Sequence, residues 1–196
     1  METVTWSFTD SKIDKQFSKG EKEIPILNPI SSDLDVVRRS IFSNLAIHLK
    51  KSQDRGFEDL SLFEIGPTFF GKNPGEQQIV VGGLKSGKVN RKSWLDKERN
   101  IDVFDIKSDT IQTLVELGIE EKNLFVTDNT KHSYHPGRSG SVTLKSEKGP
   151  HLAYFGEIHT TIIKNLDFKD KNIFGFEIFL KNIPEPNKKI KKKKKS

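Results

Sequence analysis

Strand-like runs that follow one another with only short turns between them limit the folds that this chain can adopt. Residues 59–70, DLSLFEIGPTFF, and 77–84, QQIVVGGL, are separated by the turn-forming sequence GKNPGE. Residues 141–159 likewise contain two strand-like runs joined by a Lys-Gly-Pro turn. Because parallel neighbours need a crossover connection of about a dozen residues or more, we expect these runs to pair antiparallel.

The remaining segments complete the predicted fold class. Further strands are predicted at 4–8, 101–106 and 172–180. The clearest helix is predicted at 33–52, where apolar residues recur every three to four positions, at Leu34, Val37, Ile41, Leu45 and Leu49. A second helix is predicted from Ser108 or Asp109, either of which can cap it, to Gly118. The sequence therefore predicts an α+β domain with a mostly antiparallel sheet flanked by helices.

The length predicts one domain, and the composition is compatible with a reducing compartment. The 196 residues are enough for one domain of ordinary size. The chain contains no cysteine, which excludes disulfides and thiol nucleophiles. The first residues, METVTWSFTD, lack the apolar run of a signal peptide, and no segment approaches the about 20 apolar residues that span a bilayer. We therefore expect a cytoplasmic protein without membrane contact.

The net charge of +6 is concentrated in one short segment. Residues 187–196, NKKIKKKKKS, contain seven lysines and no acid, so residues 1–186 carry a net charge of −1. Like-charge runs of this kind are usually disordered, so the predicted domain is 1–186 and the predicted disordered tail is 187–196. The tail either contacts RNA phosphates weakly or binds nothing at physiological salt. The lysines assigned to such contacts are Lys188, Lys189, Lys191, Lys192 and Lys193.

The stretch HSYHPGRSG, residues 132–140, has two interpretations. In a catalytic interpretation, His135 is a base, and Arg138 with the glycine amides binds an anion. In a structural one, Pro136 and Gly137 form a tight type II turn that His135 and Arg138 hold by hydrogen bonds. Turn residues are common and catalytic clusters are rare, so we predict the turn.

Two other motifs are weak candidates for chemistry. Residues 82–88, GGLKSGK, match the first seven positions of a phosphate-binding P-loop, but Val89 replaces the Ser or Thr that would hold magnesium. Asp102, Asp105 and Asp109 are spaced so that a strand would separate the first two onto opposite faces. The sequence therefore predicts no catalytic, cofactor-binding or metal-binding residues.

Several phrases, in order, resemble the central core of the bacterial phenylalanyl-tRNA synthetase β chain. The resemblance covers about residues 2–183, and its phrases are VTWSF, LNPISSDLDVVRRSIFSNLA, LFEIGPTFF, IDVFDIKSD, YHPGRSG, FGEIH and FGFEIFL. It implies a class II aminoacyl-tRNA synthetase-like core that has lost its catalytic role and assembles with an α chain carrying the active site. It further implies that this segment binds no cofactor, although the complete enzyme uses ATP and magnesium, and that tRNA is contacted only indirectly.

The residues agree with a non-catalytic role. In the family's catalytic fold, arginines clamp ATP, one of them in an Arg-x-Glu phrase, but here Leu62 stands two residues before Glu64. The phrase FGFEIFL is apolar where a second arginine is expected. Without these cations, the charge that develops on the phosphates has no preorganised partner.

The chain also departs from the family. Thr160 stands where proline commonly follows FGEIH, and Ser52 where asparagine is expected. The editing, magnesium-binding and anticodon-binding modules of a whole β chain are not present in these 196 residues, which indicates a fragment. The alternatives to an assembly core are a free-standing basic RNA-binding module and a non-functional remnant of a split or truncated gene.

A subunit contact is predicted on the 33–52 helix. Its apolar residues extend beyond one narrow stripe to Val36, Phe42 and Ala46, and a helix needs only one apolar face to pack on its own sheet. We expect these three residues to contact the α chain. The other interpretation is a wide stripe that faces the core.

Overall fold

A six-stranded antiparallel sheet forms the centre of the molecule. The computed structural model describes residues 1–89 and 98–185. The sheet has the strand order β3-β4-β8-β7-β6-β5, and each neighbouring pair is antiparallel. A separate two-stranded ribbon pairs β1 with β2. The strands are β1 (Phe8–Thr9), β2 (Val36–Val37), β3 (Leu60–Phe69), β4 (Gln77–Ser86), β5 (Leu124–Thr127), β6 (Tyr134–Leu144), β7 (His151–Ile158) and β8 (Ile173–Phe179).

Helices cover both faces of the sheet, which confirms the predicted α+β class. The helices are α1 (Ser11–Phe17), α2 (Phe42–Asp54), α3 (Val103–Glu116) and α4 (Thr160–Asn165). Apolar residues of α1, α2 and α4 pack on one face, which we call the α2 face. Ile106 and Leu114 of α3 pack on the other, the α3 face. No helix in the described ranges is long and apolar enough to cross a membrane.

The alternation of side chains along the strands explains the two cores. On β4, Val80 and Leu84 belong to the core under α2, whereas Val81 belongs to the core under α3. All seven residues of β8 are buried, because β8 lies inside the sheet and both of its faces are covered. A strand covered on both faces has no need of polar residues at alternate positions, which accounts for the sequence IFGFEIF.

The helix predicted at 33–52 begins later than expected. Val36 and Val37 form β2 and pair with Thr9 and Phe8, and α2 begins only at Phe42. An apolar spacing of three to four residues continues through both segments, so the periodicity did not mark the boundary. The β-branched valines favour the extended pairing with β1.

The strand predicted at 101–106 is the beginning of α3. The Asp102 carboxylate accepts hydrogen bonds from the amides of Phe104 (2.8 Å) and Asp105 (3.1 Å), and Asp105 accepts one from the Asp102 amide (2.9 Å). This capping box satisfies the free amides of the first helical turn. The cap is thus Asp102 and not Ser108 or Asp109. Gly118, with φ of +94°, follows the last turn as predicted.

Candidate functional site

The HSYHPGRSG stretch forms a bulge in a strand, which corrects the prediction of a type II turn. On β6, five residue steps separate Tyr134 from Ser139, but only two separate their partners Ile158 and Gly156 on β7. The extra residues leave the ladder, as in a large β-bulge. Gly137 is not among the described glycines with positive φ, which a type II turn would require at that position.

Hydrogen bonds occupy the candidate catalytic groups of this bulge. The Gly137 amide donates to His135 Nδ1 at 3.0 Å, and the Ser139 hydroxyl donates to the His135 carbonyl at 2.5 Å. The Arg138 guanidinium donates to both carboxylate oxygens of Glu157, with an Nη2–Oε1 distance of 2.8 Å. His135 Nδ1 and the Arg138 guanidinium therefore have hydrogen-bond partners within the chain, and Pro136 lies between these two residues in the bulge.

On the α2 face, side chains from the start of α2 pack directly on β4 and β8. A Cβ at Gly82 of β4 would collide with the Cγ2 methyl of Ile41. A Cβ at Gly175 of β8 would lie 2.7 Å from Leu84 Cδ2 and 2.9 Å from Phe42 Cζ. Both glycines thus permit close approach of the residues that begin α2. This packing leaves no room for a ligand over these two strands.

A buried ion pair lies next to these apolar contacts. The Arg38 guanidinium donates to Glu64 Oε1 at 2.6 Å, to the Thr5 hydroxyl at 2.8 Å and to the Pro67 carbonyl at 2.9 Å. The side chains of both ionic partners are almost fully buried. Leu62, where the resemblance expects an arginine, is also buried on the α2 face. The Arg38 guanidinium therefore neutralises Glu64 and is not exposed to a ligand.

A second buried ion pair joins α1 to the segment before α2. Arg39 Nε donates to Asp14 Oδ2 at 2.6 Å, and the Ser43 hydroxyl donates to Asp14 Oδ1 at 2.9 Å. Arg39 also donates to the carbonyl of Glu21. Both oxygens of the Asp14 carboxylate thus accept a hydrogen bond. Burying a charge costs much less free energy when the charge is paired and hydrogen-bonded in this way.

A third carboxylate on the same face has weaker contacts. Glu177 accepts from the Ser40 hydroxyl at 3.2 Å and from the Lys131 ammonium at 3.4 Å. Burial raises the pKa of the nearby Tyr134 hydroxyl well above its usual value, and the Glu177 and Tyr154 charges act in the same direction. The phenol therefore stays protonated at neutral pH and is not a base.

The P-loop-like sequence lacks the environment of a phosphate site. The Gly87 amide donates to Asp170 Oδ2 at 2.9 Å, and the Lys88 amide donates to Asp59 Oδ1 at 2.8 Å. The Lys88 ammonium is 3.1 Å from Glu98 Oε2. Carboxylates already occupy the donors that a phosphate would need, and their charge would repel it.

The three aspartates near the start of α3 have structural contacts. Asp102 and Asp105 form the capping box, and Asp109 pairs with Lys85. In the part of the chain that the structure describes, no group of three His, Cys, Asp or Glu residues is arranged to hold a metal ion.

The residues predicted to form a subunit contact are buried within the chain, which corrects that prediction. The exposed fractions of Val36, Phe42 and Ala46 are 3%, 0% and 1%. Val36 lies in β2 instead of the helix, and Phe42 and Ala46 belong to the core of the α2 face. Phe42 and Ala46 belong to a wide core-facing stripe of α2, because this helix is packed against both α1 and the sheet.

Exposed apolar side chains lie instead on the α3 face of the outer strands. Phe63, Ile65 and Ile79 are 38%, 55% and 41% exposed, and we call them the β3–β4 patch. The register places Phe63 opposite Gly83 and Ile65 opposite Val81, so the patch continues the apolar surface that α3 covers over β6, β7 and β8. The sequence LFEI contains this signal, because apolar residues occupy both faces of a strand that lies at the edge of the sheet.

The predicted RNA contacts lie outside the described residues. Lys188, Lys189, Lys191, Lys192 and Lys193 fall in the range 186–196, as does the expected domain boundary. These assignments stay predictions.

Comparisons with known proteins agree on one family. Residues 1–180 match the family described as the phenylalanyl tRNA synthetase beta chain CLM domain. The phenylalanine–tRNA ligase beta subunit of Paramagnetospirillum magneticum is 41% identical over 99% of this chain, and that of Rhodospirillum rubrum is 40% identical over 95%. The chain spans 24% and 23% of these two relatives, about a quarter of their length.

A solved structure has the same fold. The pyrrolysyl tRNA synthetase of Desulfitobacterium hafniense superimposes with a TM-score of 0.66 at 13% identity, over 93% of this chain and 61% of that one. This likeness confirms the predicted synthetase-like fold. With the family match over residues 1–180, it follows that the chain belongs to the phenylalanyl-tRNA synthetase β chain family.

Proposed function

We propose that this chain is a non-catalytic core of a phenylalanine–tRNA ligase β subunit, and that it serves assembly with an α chain. In the complete complex, the α chain would use ATP and magnesium to charge tRNA with phenylalanine, and this chain would contact tRNA only indirectly. The relatives named as beta subunits support the role in the ligase, since a beta subunit implies a partner. We expect the complex to be cytoplasmic.

The main support for a non-catalytic role is the close packing of side chains on the α2 face. Adenylate formation needs a cavity for ATP and cations aimed at its phosphates. Here Ile41 and Phe42 pack directly on the glycines of the middle strands, and Arg38 and Arg39 are bound by Glu64 and Asp14. Freeing either arginine would leave a buried carboxylate without a partner, which is costly.

The β3–β4 patch supports the assembly part. Exposed apolar patches on soluble proteins commonly mark contacts with other proteins. The patch adjoins Val81, whose side chain is buried in the core under α3, so a partner could extend that core across β3 and β4. We propose the α chain as its occupant, because the chain belongs to a family of synthetase subunits.

The non-catalytic role is tested by phenylalanine-dependent exchange between ATP and pyrophosphate. We expect no exchange by the purified chain alone, at any concentration at which the complete ligase is active. The complete ligase of the same organism is the positive control. Exchange that persists through rigorous purification and follows the chain's own elution profile contradicts the proposal.

The assembly role is tested by co-expression with the α chain of the same organism. We expect the two chains to co-purify through size-exclusion chromatography as one complex. If the chain is folded by circular dichroism and elutes separately from the α chain, the assembly role is wrong for this segment, whatever the exchange assay shows.

A further inference from the structure

A basic cleft lies between α1, the segment before β6 and the N-terminal turn of α4. Its volume is about 510 Å³. Its walls include Lys15 and Lys19 from the α1 side, Lys131 and His132 from the segment before β6, and Thr161 and Asn165 from α4. Part of the HSYHPGRSG stretch thus forms one wall, although its own catalytic interpretation found no support.

The charge of this cleft has one sign. Three lysines and two histidines line it, and no Asp or Glu is among the described residues that do so. By contrast, the P-loop-like loop beside β4 has carboxylates on its amides. Residues 1–186 carry a net charge of −1, so this local excess of cations does not reflect a basic protein body.

The lysines differ in how far they are already neutralised. Lys131 is 3.4 Å from Glu177 and lies over the rings of Tyr154 and Phe179 at 4.9 and 4.5 Å, so internal contacts hold it in place. Lys15 pairs with Glu23 at 2.9 Å in a solvent-exposed ion pair, which is worth little. Lys19 is exposed and makes no ion pair with any described residue.

The walls of the cleft are fixed relative to one another. The Lys19 amide donates to His132 Nε2 at 2.9 Å, which joins the end of α1 to the segment before β6. The Asn165 amide group donates to Gln16 Oε1 at 2.8 Å, which joins α4 to α1. These hydrogen bonds fix the shape of the cleft, although not its exposed ammonium groups, and a preformed cleft loses less entropy when it takes up an anion.

We propose that this cleft binds a phosphate group, either on an RNA strand or as a free anion. The ligand class follows from the charge, because two mobile ammonium groups and the nearby hydroxyl and amide side chains are suited to phosphate oxygens. The residues that line the cleft are not those of the β3–β4 patch, and none of them belongs to the lysine run at 187–196. It assigns to the folded body a binding role that the assembly function does not require.

The test is a ¹H–¹⁵N NMR titration of the full chain, first with inorganic phosphate and then with a short unstructured RNA. We expect saturable shifts of the amides of Lys19, His132 and Thr161, and none at Lys72 in the loop between β3 and β4. Shifts with both probes, or with phosphate alone, indicate a free anion site. Shifts with RNA alone indicate recognition of the strand.

The matched variants are Lys15→Glu/Lys19→Glu and Lys72→Glu/Lys107→Glu, which change the net charge equally. The first pair should lower the affinity for the binding probe by about tenfold or more, and the second should change it by less than about twofold. Because all variants keep residues 187–196, binding through the lysine run is the same in each. Lys19→Gln serves as a milder variant if the double substitution disturbs the fold.

Two outcomes would overturn the proposal. One is the absence of shifts at the three cleft amides with either probe. The other is RNA binding that the cleft variants leave unchanged and that disappears when residues 187–196 are deleted, since the ligand would then be bound by the lysine run.

Discussion

Arg38 and Arg39 are neighbours in the sequence, and each has a buried side chain that pairs with one carboxylate. Arg38 joins β3 through Glu64, and Arg39 joins α1 through Asp14. Burying an isolated charge costs free energy, so each arginine is compatible with the folded core only together with its carboxylate. Adjacent arginines usually indicate a solvated surface, so their burial could not be predicted from the residue types alone.

Removing one member of a buried pair should be far more destabilising than removing both. We expect Arg38→Met to lower the free energy of unfolding by about 3–5 kcal/mol, because Glu64 is left buried without its cation. The double variant Arg38→Met/Glu64→Leu should recover much of that loss. Urea denaturation measures both, with Lys72→Met as the surface control.

Two results for the free energies of unfolding would contradict the interpretation that Arg38 and Glu64 act as a pair. If Arg38→Met is no more destabilising than Lys72→Met, or if the double variant is at least as unstable as Arg38→Met alone, the pair does not act as a unit.

The environment of His132 makes stability depend on pH. Burial lowers the pKa of His132 below its ordinary value, and the charges of Lys131 and Lys19 act in the same direction, while Glu177 opposes them. The unfolded chain therefore takes up this proton first, and stability should fall as the pH decreases below about 6.5. Protonation would also remove the acceptor for the Lys19 amide.

We expect His132→Gln to lose less stability than the parent chain between about pH 7 and about pH 5. Thermal unfolding at several pH values measures the difference, and an NMR titration of the His132 ring gives its pKa directly. A measured pKa at or above about 6.5 would contradict the structural argument.

At the scale of elements, the sequence predicted the strands better than the starts of the helices. The predicted ranges 59–70 and 172–180 contain β3 and β8 almost to the residue, and the predicted range 77–84 ends two residues before β4 does. Their turns and apolar runs are local signals, so one sequence was sufficient. The strand predicted at 4–8 was less accurate, since β1 spans only Phe8–Thr9. β5 and α4 were not predicted, because β5 is a short strand at the edge of the sheet and α4 is a short helix with few periodic positions.

Two of the misplaced elements, the strand predicted at 101–106 and the start of the helix predicted at 33–52, have a common cause. In IDVFDI, the apolar residues fit a strand, but Asp102 and Asp105 bond to each other's amides and begin a helix. In the segment 33–41, apolar periodicity fits a helix, but the valines pair with β1. In both, a contact that the periodicity does not record decided the structure.

The cap of α3 can be tested against the two residues first proposed for it. Asp102→Ala should destabilise the chain by about 1 kcal/mol, because the amides of Phe104 and Asp105 lose their acceptor. Ser108→Ala, inside the exposed face of the helix, should be neutral or slightly stabilising. The reverse order of the two urea midpoints would place the helix start at Ser108.

At the scale of the whole molecule, the sequence resemblance predicted the family, and the structure located the surfaces. The absence of the ATP-clamping arginines could be inferred from single positions such as Leu62. The contact surface could not, because the sequence alone does not show which side of β3 and β4 a helix covers. Phe42 and Phe63 look alike in the sequence, yet one is wholly buried and the other is partly exposed.

Two substitutions to aspartate should distinguish a residue of the β3–β4 patch from a residue of the core. Ile65→Asp should leave the chain folded, since Ile65 is more than half exposed, and should weaken association with the α chain by about tenfold or more. Phe42→Asp should unfold the chain instead, because it buries an unpaired carboxylate among α1, α2 and Tyr134. Phe104→Asp, at an exposed position of α3 outside the three residues of the patch, adds the same charge and should do neither. Circular dichroism reports folding, and co-purification with the α chain reports association. An Ile65→Asp chain that is folded and still binds the α chain at full strength would show that assembly uses a surface other than the β3–β4 patch.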